Sequence, residues 1–483
     1  MAIPTIALSD SLKIARVLNG LWQIADLERD GKTYNLQQAA YDMQSYVEAG
    51  MTTFDMADHY GSAEIICGIY DQNYGKGKTQ YLTKWVTEPG KTSKEKVRKA
   101  VALALQRLQT DSIDLLQYHA WNYADARYLD ELFWLQELQE EGLIQNLGLT
   151  NFDAHHLDVV LQSGIPIVSN QISYSLLDQR AAAKMTDICL KHHIKILAFG
   201  TLAGGLLSEK WLDYPDQMPE EMETWSQMKY KRYIDVAGGW TPFQKVLQNL
   251  KTLADQKQIS LAHLATRYIA EQPAVGGVII GARLGHSNRV AQNKQLFDFE
   301  WSPEDSQKVQ KIIQVLEPIP GNCGDEYRKP PFLTAAGDLS DHLEQLPSPY
   351  PVLPIHEGRS KALSGTIWED LAGFSRATRI GDRILVSGTT ATHGNQRIGG
   401  DDPEAQAHFI IDKIEGAIQS LGGKIEDVVR TRIYIHNMDD WEPVSRAHGS
   451  RFGHIQPANT MVQAGLIGEG YLVEIEAEAV ISS

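Results

Sequence analysis

The chain has 483 residues, 43% of them hydrophobic, and a formal net charge of −16 at pH 7. This length predicts two or three domains, and the acidic balance argues against non-specific binding to nucleic acid or to an anionic membrane. Three scattered cysteines without a CxxC pair exclude a disulfide scaffold or zinc ribbon and indicate a reducing cytoplasm. The N-terminal residues lack a signal-peptide pattern, and no run of about 18 apolar residues occurs. We therefore expect a cytoplasmic protein with no membrane span, no nucleic-acid partner and no metal site.

Short β-rich runs recur through the first 300 residues or so, each followed by a stretch with helical spacing. The predicted strands are Ala15–Trp22, Thr53–Met56, Tyr81–Trp85, Ile113–His119, Gln145–Thr150, Ile167–Ile172, Ile194–Gly200 and Gly277–Gly281. The best-defined predicted helix, Lys94–Leu108, repeats apolar residues at helical intervals. Eight such units predict an α/β fold of the (β/α)8 TIM-barrel type. The competing doubly wound sheet usually binds dinucleotides through a GxGxxG turn, which this sequence lacks.

A change in composition divides the chain into three parts. Residues 1–317 hold the predicted barrel. Residues 318–354 contain eight of the 19 prolines and are predicted to form a semi-extended linker that is partly packed on a domain surface. Residues 355–483 predict a small α+β domain. Its predicted elements are the strands Arg379–Thr389, Val428–His436 and Leu472–Val480 and the helix Pro403–Leu421.

Four ionisable residues stand at or just beyond the ends of three consecutive barrel strands: Asp55, Tyr60, Lys84 and His119. In a barrel these ends lie at one rim, where active sites are built. Each residue suits a step in carbonyl reduction. Tyr60 can donate a proton to the carbonyl oxygen, and a lysine cation about 4 Å away would lower its pKa. Asp55 can keep Lys84 charged, while His119 can polarise the substrate oxygen.

The segment GMTTFDMADHYGSAE, which contains Asp55 and Tyr60, resembles the signature of the aldo/keto reductase family, and the resemblance extends over roughly residues 10–320. It implies a (β/α)8 barrel that reduces a small carbonyl compound. Asp55, Tyr60, Lys84 and His119 match the family's catalytic tetrad. Met56 departs from the threonine that is common at its position, next to the tetrad.

The same resemblance implies a set of positions that bind NADP(H). Arg283 and Arg289 match the residues that bind the 2′-phosphate, and guanidinium groups suit a phosphate dianion. Leu284 departs from a serine or threonine that is frequent there. The predicted cofactor residues are Trp22, Thr150, Asn151, Gln171, Phe199, Gly200, Leu202, Gly204, Arg283, Arg289, Gln292 and Asn293.

A long connection, Ala203–Thr241, follows the seventh predicted strand. Its aromatic residues are Trp211, Tyr214, Trp225, Tyr230, Tyr233 and Trp240. Long loops at this rim often shape substrate pockets. Packing against the outer helices is an equally good interpretation for each residue.

The C-terminal part resembles the RidA/YjgF family in the segments GFSRATRIGDRILVSGTTAT, LGGKIEDVVRTRIYI and PANTMVQAGLIGEGYLVEIEAEAV. This resemblance implies a homotrimer with clefts between subunits, in which Ser387 and Glu474 match cleft residues. The arginine that grips a carboxylate in the family is Asn459 here, which lacks the charge and the fork geometry. Arg379, Arg430 and Arg451 are possible spatial substitutes.

Three functions remain open from the sequence. The leading interpretation is an NADPH-dependent reductase of aldehydes or ketones, whose C-terminal domain trimerises the protein or binds a ligand. The first alternative is a nucleotide-binding barrel that acts as a regulatory scaffold. The second is a bifunctional protein whose C-terminal domain hydrolyses imines or enamines.

Overall fold

The computed structural model describes residues 2–28, 34–88, 90, 92–215, 222, 224–286, 288–329, 332–333, 346–356 and 358–481. Its N-terminal part contains the strands β1 (Thr5–Ala7), β2 (Lys13–Ala15), β3 (Val17–Gly20), β4 (Thr53–Asp55), β5 (Gln80–Val86), β6 (Leu115–His119), β7 (Leu147–Thr150), β8 (Ile167–Ser173), β9 (Lys195–Phe199) and β10 (Val275–Gly281). Strands β3 to β10 form a closed parallel barrel in sequential order. The predicted (β/α)8 barrel is confirmed.

Helices separate the barrel strands and cover the outside of the barrel. They are α1 (Trp22–Leu27), α2 (Leu36–Glu48), α3 (Ala63–Tyr70), α4 (Lys94–Leu108), α5 (Arg127–Glu140), α6 (Ala154–Gln162), α7 (Lys184–Lys191), α8 (Trp225–Val236), α9 (Trp240–Gln256), α10 (Leu261–Ala270), α11 (Val290–Lys294), α12 (Pro303–Ile313) and α13 (Asp325–Arg328). Helix α4 has the predicted bounds. The Ser93 side chain caps its N-terminus, Gln109 ends it in the left-handed conformation, and Val97 and Val101 are buried.

The hairpin of β1 and β2 closes the N-terminal end of the barrel. Leu8 and Leu12 from this hairpin pack against Leu18, Leu115 and Leu197 at the bottom of the barrel. This apolar floor leaves the opposite rim, where the strands end, as the open end of the barrel. The predicted functional residues lie at that rim.

The C-terminal part is a seven-stranded sheet in the order β11-β12-β13-β14-β19-β17-β18, covered by helices, with a two-stranded ribbon of β15 and β16 beside it. Its elements are β11 (Val352–His356), β12 (Arg359–Ala362), α14 (Ile367–Ala372), β13 (Ala377–Ile380), β14 (Arg383–Thr390), β15 (Thr392–His393), β16 (Gln396–Arg397), α15 (Pro403–Ser420), β17 (Val428–Ile435), α16 (Trp441–Phe452), β18 (Ala458–Gln463) and β19 (Val473–Val480). The α+β prediction is confirmed, and the long helix and two strands lie close to their predicted bounds.

The single strand predicted over Arg379–Thr389 is wrong, because this segment contains a turn between two antiparallel strands. Ile380 pairs with Arg383 across the turn. Gly381 adopts a φ of +60° there, a conformation that glycine accepts without strain. The sequence prediction also missed α16 and β18, whose polar residues hide their periodicity.

Parts of the predicted linker pack on the barrel and on the C-terminal part. Glu326 is fully buried, and its carboxylate lies 3.0 Å from Nη1 of Arg180. Further on, Tyr350 is 9% exposed, and its backbone N–H donates to Ser420 Oγ. Residues 334–345, the middle of the predicted linker, lie outside the described residues. The three predicted domain boundaries stay a prediction.

The barrel and the C-terminal part meet mainly where α6 packs against α15. Nε2 of His156 lies 3.0 Å from Oδ2 of Asp412 in this interface. Gly416 packs so closely that an added Cβ would lie 2.2 Å from the carbonyl oxygen of Ala124. The interface therefore combines a buried ion pair with a close contact that only glycine permits.

Among the helices that the structure describes, none has the length and apolar character needed to cross a membrane.

Candidate active site

A cleft of about 1300 Å³ opens at the rim of the barrel where the strands end. All of the predicted catalytic and cofactor residues line it. They are Trp22, Asp55, Tyr60, Lys84, His119, Thr150, Asn151, Gln171, Phe199, Gly200, Leu202, Gly204, Arg283, Arg289, Gln292 and Asn293. The fold thus brings together residues that are up to 271 positions apart, from Trp22 to Asn293.

Asp55 and Lys84 form a buried ion pair at the base of the cleft. They are 2% and 3% exposed, and Nζ of Lys84 lies 2.7 Å and 2.9 Å from the two carboxylate oxygens. The same ammonium donates to the carbonyl oxygen of Met56 at 2.9 Å. It lies 4.8 Å from the ring centroid of Tyr60. Strand ends β4 and β5 thus hold a cation beside a phenol.

Two opposing effects act on the pKa of Tyr60. The Lys84 charge lowers the pKa of the phenol, as expected from the sequence. Burial has the larger effect, so the pKa of Tyr60 is raised above 10, with Asp55 and Asp58 adding to the rise. The net shift is upward because desolvation outweighs the nearby cation.

Aromatic rings surround the remaining sides of the Tyr60 ring and of His119. Trp22 meets Tyr60 edge-on at a centroid distance of 5.0 Å. Trp121 meets His119 in the same manner at 4.4 Å, and Nδ1 of His119 lies 3.4 Å from the carbonyl oxygen of Thr150. These contacts fix both rings at the cleft wall.

The predicted nicotinamide positions offer polar groups that fit a carboxamide. Asn151 adopts a left-handed φ of +59°, and its Oδ1 is buried without a hydrogen-bond partner among the described residues. A buried unsatisfied acceptor is costly, and the N–H₂ of a carboxamide would satisfy it. Gln171 lines the cleft beside it, but its Nε2 donates to Asp55 Oδ1 at 2.6 Å. We infer that Gln171 also orients Asp55.

Two arginines, Arg283 and Arg289, also line the cleft. The side chain of Arg283 is half-buried, and its Nε donates to Oε1 of Gln23 at 3.2 Å. Arg289 is exposed. Gln292 and Asn293 line the cleft as well, and this set of polar side chains and guanidinium groups suits an anionic group.

Sequence reasoning missed four residues at the site. Gln117 lies inside the barrel, where its Nε2 lies 3.3 Å from Asp55 Oδ1. Lys229 is 5% exposed and donates to the Tyr327 hydroxyl at 2.6 Å. Arg328 donates to the carbonyl oxygen of Asn151 at 2.7 Å. Both Tyr327 and Arg328 come from the segment predicted as a linker. Tyr327 lines the cleft, whereas Arg328 contacts the backbone of the cleft residue Asn151.

The aromatic residues of Ala203–Thr241 divide between the two interpretations from the sequence, which were lining the substrate pocket and packing within the structure. Trp211, Trp225 and Tyr230 line the cleft. Tyr214 and Trp240 instead pack around Trp211, with centroid distances of 4.9 Å and 6.2 Å. About half of the aromatic residues thus stabilise the loop, while Trp225 packs against Trp22 at 5.7 Å within the cleft.

The predicted cleft residues of the C-terminal domain contact other residues of that domain. Ser387 Oγ donates to the Ser375 carbonyl oxygen at 2.8 Å, and Asn459 Nδ2 donates to Thr431 Oγ1 at 2.9 Å. The pKa of Glu474 is raised by burial, and the nearby charge of Arg376 offsets part of this rise. Arg376 was not predicted.

Two of the three arginines considered as substitutes for the missing arginine have other contacts. Arg379 donates to the carbonyl oxygens of Gly381 and Leu421. Arg451 pairs with Asp412 and Glu415. Arg430 lies in a shallow depression on the sheet.

A closed parallel barrel with a buried carboxylate–ammonium pair beside a cleft-lining tyrosine defines a TIM-barrel oxidoreductase. The profile of the aldo/keto reductase family matches residues 16–314. The chain therefore belongs to the aldo/keto reductase family, whose members use nicotinamide cofactors. A second profile, described as endoribonuclease L-PSP, matches residues 368–481, which confirms the resemblance to the RidA/YjgF family.

Individual relatives and solved structures also match only one part of the chain each. The NADH-specific methylglyoxal reductase of Escherichia coli is 27% identical over 231 residues, covering 47% of this chain and 66% of that protein. An uncharacterised Streptomyces coelicolor protein, SCO2049, is 38% identical over 124 residues, 26% of this chain and 92% of its own length. The glycerol dehydrogenase structure from Gluconobacter oxydans has a TM-score of 0.55 at 22% identity and covers 66% of this chain and 98% of that one. The last likeness concerns the fold alone.

Proposed function

We propose that this chain reduces aldehydes or ketones with NADPH and that Tyr60 donates the proton. The main support for this proposal is a pair of contacts inside the cleft: the buried Lys84 ammonium binds the Asp55 carboxylate and also lies beside the Tyr60 ring. When bound, the nicotinamide supplies a hydride to the carbonyl carbon. The substrate is a small carbonyl compound and the product is an alcohol.

Tyr60 gives its hydroxyl proton to the carbonyl oxygen as the carbon is reduced. Because burial keeps its pKa above 10, the proton is present at neutral pH. The phenolate that remains is stabilised by the ammonium of Lys84, which Asp55 holds in place. The attraction between such charges about 4 Å apart is of the order of 4 kcal/mol before desolvation is subtracted. His119 contacts the substrate oxygen from the neighbouring strand end and orients it.

Tyr60→Phe tests the proton donor directly. Phenylalanine keeps the ring contact with Trp22 and removes only the hydroxyl group. We expect the rate of NADPH oxidation with a panel of aldehydes to fall by about 10²–10⁴-fold. The affinity for NADPH, measured by tryptophan fluorescence, should be unchanged. Tyr41→Phe is the matched control, because Tyr41 is 55% exposed on α2. An unchanged rate in Tyr60→Phe contradicts the assigned role and favours a nucleotide-binding scaffold.

The proposed preference for NADPH over NADH is based on Arg283 and Arg289, which line the cleft. In a chain with a net charge of −16, two guanidinium groups there favour a cofactor with an additional phosphate. The family alone does not decide this, since the relative from Escherichia coli is named as NADH-specific. We expect Arg283→Ala and Arg289→Ala each to lower kcat/KM for NADPH by roughly 10–100-fold, as for a lost charged hydrogen bond, and to change the NADH value little. Equal losses with both cofactors contradict the phosphate role.

The C-terminal domain is proposed to assemble the chain into a homotrimer. The face of its sheet away from α15 presents Leu385 and Val462, which are 41% and 43% exposed. Apolar side chains on an open sheet face favour a partner surface. Light scattering should give a mass of three 53.9 kDa chains, and Val462→Asp should lower it. A monomeric mass for the unmodified chain contradicts the proposal.

Asn459 favours assembly over hydrolysis, because an amide hydrogen-bonded to Thr431 offers no positive charge for a carboxylate. We expect no release of ammonia from 2-aminoacrylate above the buffer rate. Clear acceleration would instead establish the bifunctional alternative. The three cysteines are free thiols, which supports a reducing compartment such as the cytoplasm.

A further inference from the structure

Three potential metal ligands meet at the interface between the barrel and the C-terminal domain: His155 on α6, and Glu404 and His408 on α15. We call them the interface triad. One ligand atom from each lies within 4.8 Å of the ligand atoms of the other two. The rings of His155 and His408 are 3.9 Å apart between centroids. The triad lies outside the active-site cleft.

The spacing of the triad is suited to metal binding. Glu404 and His408 are four residues apart on one helix, so their side chains lie on the same face, one turn apart. Paired ligands at this spacing on a helix are a common arrangement in zinc sites. His155 comes from the facing helix α6. The three ligands therefore belong to two domains, and a shared ion would join them.

His408 provides a second, independent observation. It is 1% exposed, and neither Nδ1 nor Nε2 has a hydrogen-bond partner among the described residues. Leaving a buried polar group unsatisfied costs about 1–3 kcal/mol. An imidazole with a buried, unpartnered nitrogen beside another histidine and a carboxylate has the chemistry of a metal ligand.

Lys184 shows that a positive charge is favoured at this position. Its Nζ lies 2.7 Å from Oε1 of Glu404 and 3.0 Å from Nδ1 of His155. The second oxygen of Glu404 accepts from Arg446 at 3.3 Å. The Lys184 side chain is 46% exposed, so it can turn into solvent when another cation takes its place.

We propose that the interface triad binds one Zn²⁺ ion, which joins the barrel to the C-terminal domain. Tetrahedral zinc with bonds of about 2.0–2.1 Å holds its ligand atoms about 3.3 Å apart. Binding therefore requires the side chains to approach from their present separation and Lys184 to leave. Two imidazoles and one carboxylate leave a fourth position for water. The ion acts on stability and domain arrangement, because Tyr60 is not among its neighbours.

Titration of the metal-free full-length chain with Zn²⁺ tests this inference. Isothermal calorimetry should show one tight site per chain, and saturation should raise the melting temperature. Glu404→Gln and His408→Gln should each weaken the site by more than the roughly 10–100-fold that loss of an outer partner causes. Lys184→Ala should strengthen it, because the competing ammonium is removed.

His454→Gln is the matched control, since His454 is a solvent-exposed histidine of the same domain. Its zinc affinity should equal that of the unmodified chain. Glu404 is only partly buried, so Glu404→Gln carries the test if His408→Gln fails to fold. Zinc affinity that is the same in Glu404→Gln and in the unmodified chain would overturn the proposal. So would the absence of any site in the unmodified chain.

Discussion

Lys413 offers a quantitative test of the C-terminal core. This lysine on α15 is 3% exposed, and its ammonium donates to the carbonyl oxygens of Thr390 and Thr392. Burial, assisted by the nearby charge of Arg376, lowers its pKa from 10.5 to about 7. No carboxylate of the described residues forms an ion pair with it. Lys413→Met should therefore stabilise the domain at acidic pH.

The size of the effect follows from the pKa. A fall from 10.5 to about 7 corresponds to about 5 kcal/mol at about 1.4 kcal/mol per pH unit. Below pH 7 the lysine is charged in both states, so the folded protein bears the full cost. Between pH 7 and 10.5 only the unfolded chain keeps the proton, and the cost fades as the pH rises. Subtracting about 1 kcal/mol for each lost hydrogen bond leaves a gain of roughly 3 kcal/mol in Lys413→Met at pH 6.

Urea unfolding at pH 6 and at pH 9.5, followed by circular dichroism, measures this gain. Lys413→Met should unfold at higher urea than the unmodified chain at pH 6, and the difference should shrink at pH 9.5. Lys424→Met, at an exposed lysine of the same domain, should show neither change. A difference that is the same at both pH values would show that the stability gain does not depend on the charge of Lys413.

Three further predictions concern the barrel. Lys84→Met leaves the carboxylate of Asp55 buried without its cation, so we expect turnover to fall by about 100-fold or more and the free energy of unfolding to drop by roughly 3–5 kcal/mol; normal kinetics would contradict this. Because the pKa of Tyr60 is raised above 10, the rate of carbonyl reduction should stay constant up to about pH 9, while the rate of alcohol oxidation rises with pH; a decline of the reduction rate centred near pH 7 would be inconsistent. Arg180→Leu removes the guanidinium that pairs with the fully buried Glu326 and Asp178 and leaves Glu326 with Lys229 at 3.8 Å, which should lower the urea midpoint by an amount equivalent to about 3–5 kcal/mol, whereas Arg180→Lys should lose less.

The barrel and its rim could be predicted because their signals are local. A strand with a polar residue at its end shows in a few consecutive positions, and closure of the barrel then brings Asp55, Lys84 and His119 together. The residues that complete the site are brought together by contacts between distant parts of the chain. Lys229 and Tyr327 meet across 98 positions, and no local pattern marks that contact.

Some features follow only from the folded structure. Glu326 lies in the Pro-rich segment after Pro318 and is buried there, where Arg180 pairs with it. The sign of the pKa shift of Tyr60 depends on how much water burial removes, a quantity that follows from the whole fold. By contrast, Gly381 and Asp382 are typical turn residues and could have divided the predicted strand Arg379–Thr389.

We propose that the chain transfers a hydride from NADPH to a carbonyl carbon, with Tyr60 as the acid. NADPH deuterated at C4 in either configuration, followed by mass spectrometry of the alcohol product, tests this transfer. We expect deuterium on the carbinol carbon from one of the two forms, and its appearance should be at least 100-fold slower with Tyr60→Phe. Alcohol without deuterium from either form would exclude this hydride transfer, and equal rates in the unmodified chain and in Tyr60→Phe would exclude Tyr60 as the acid.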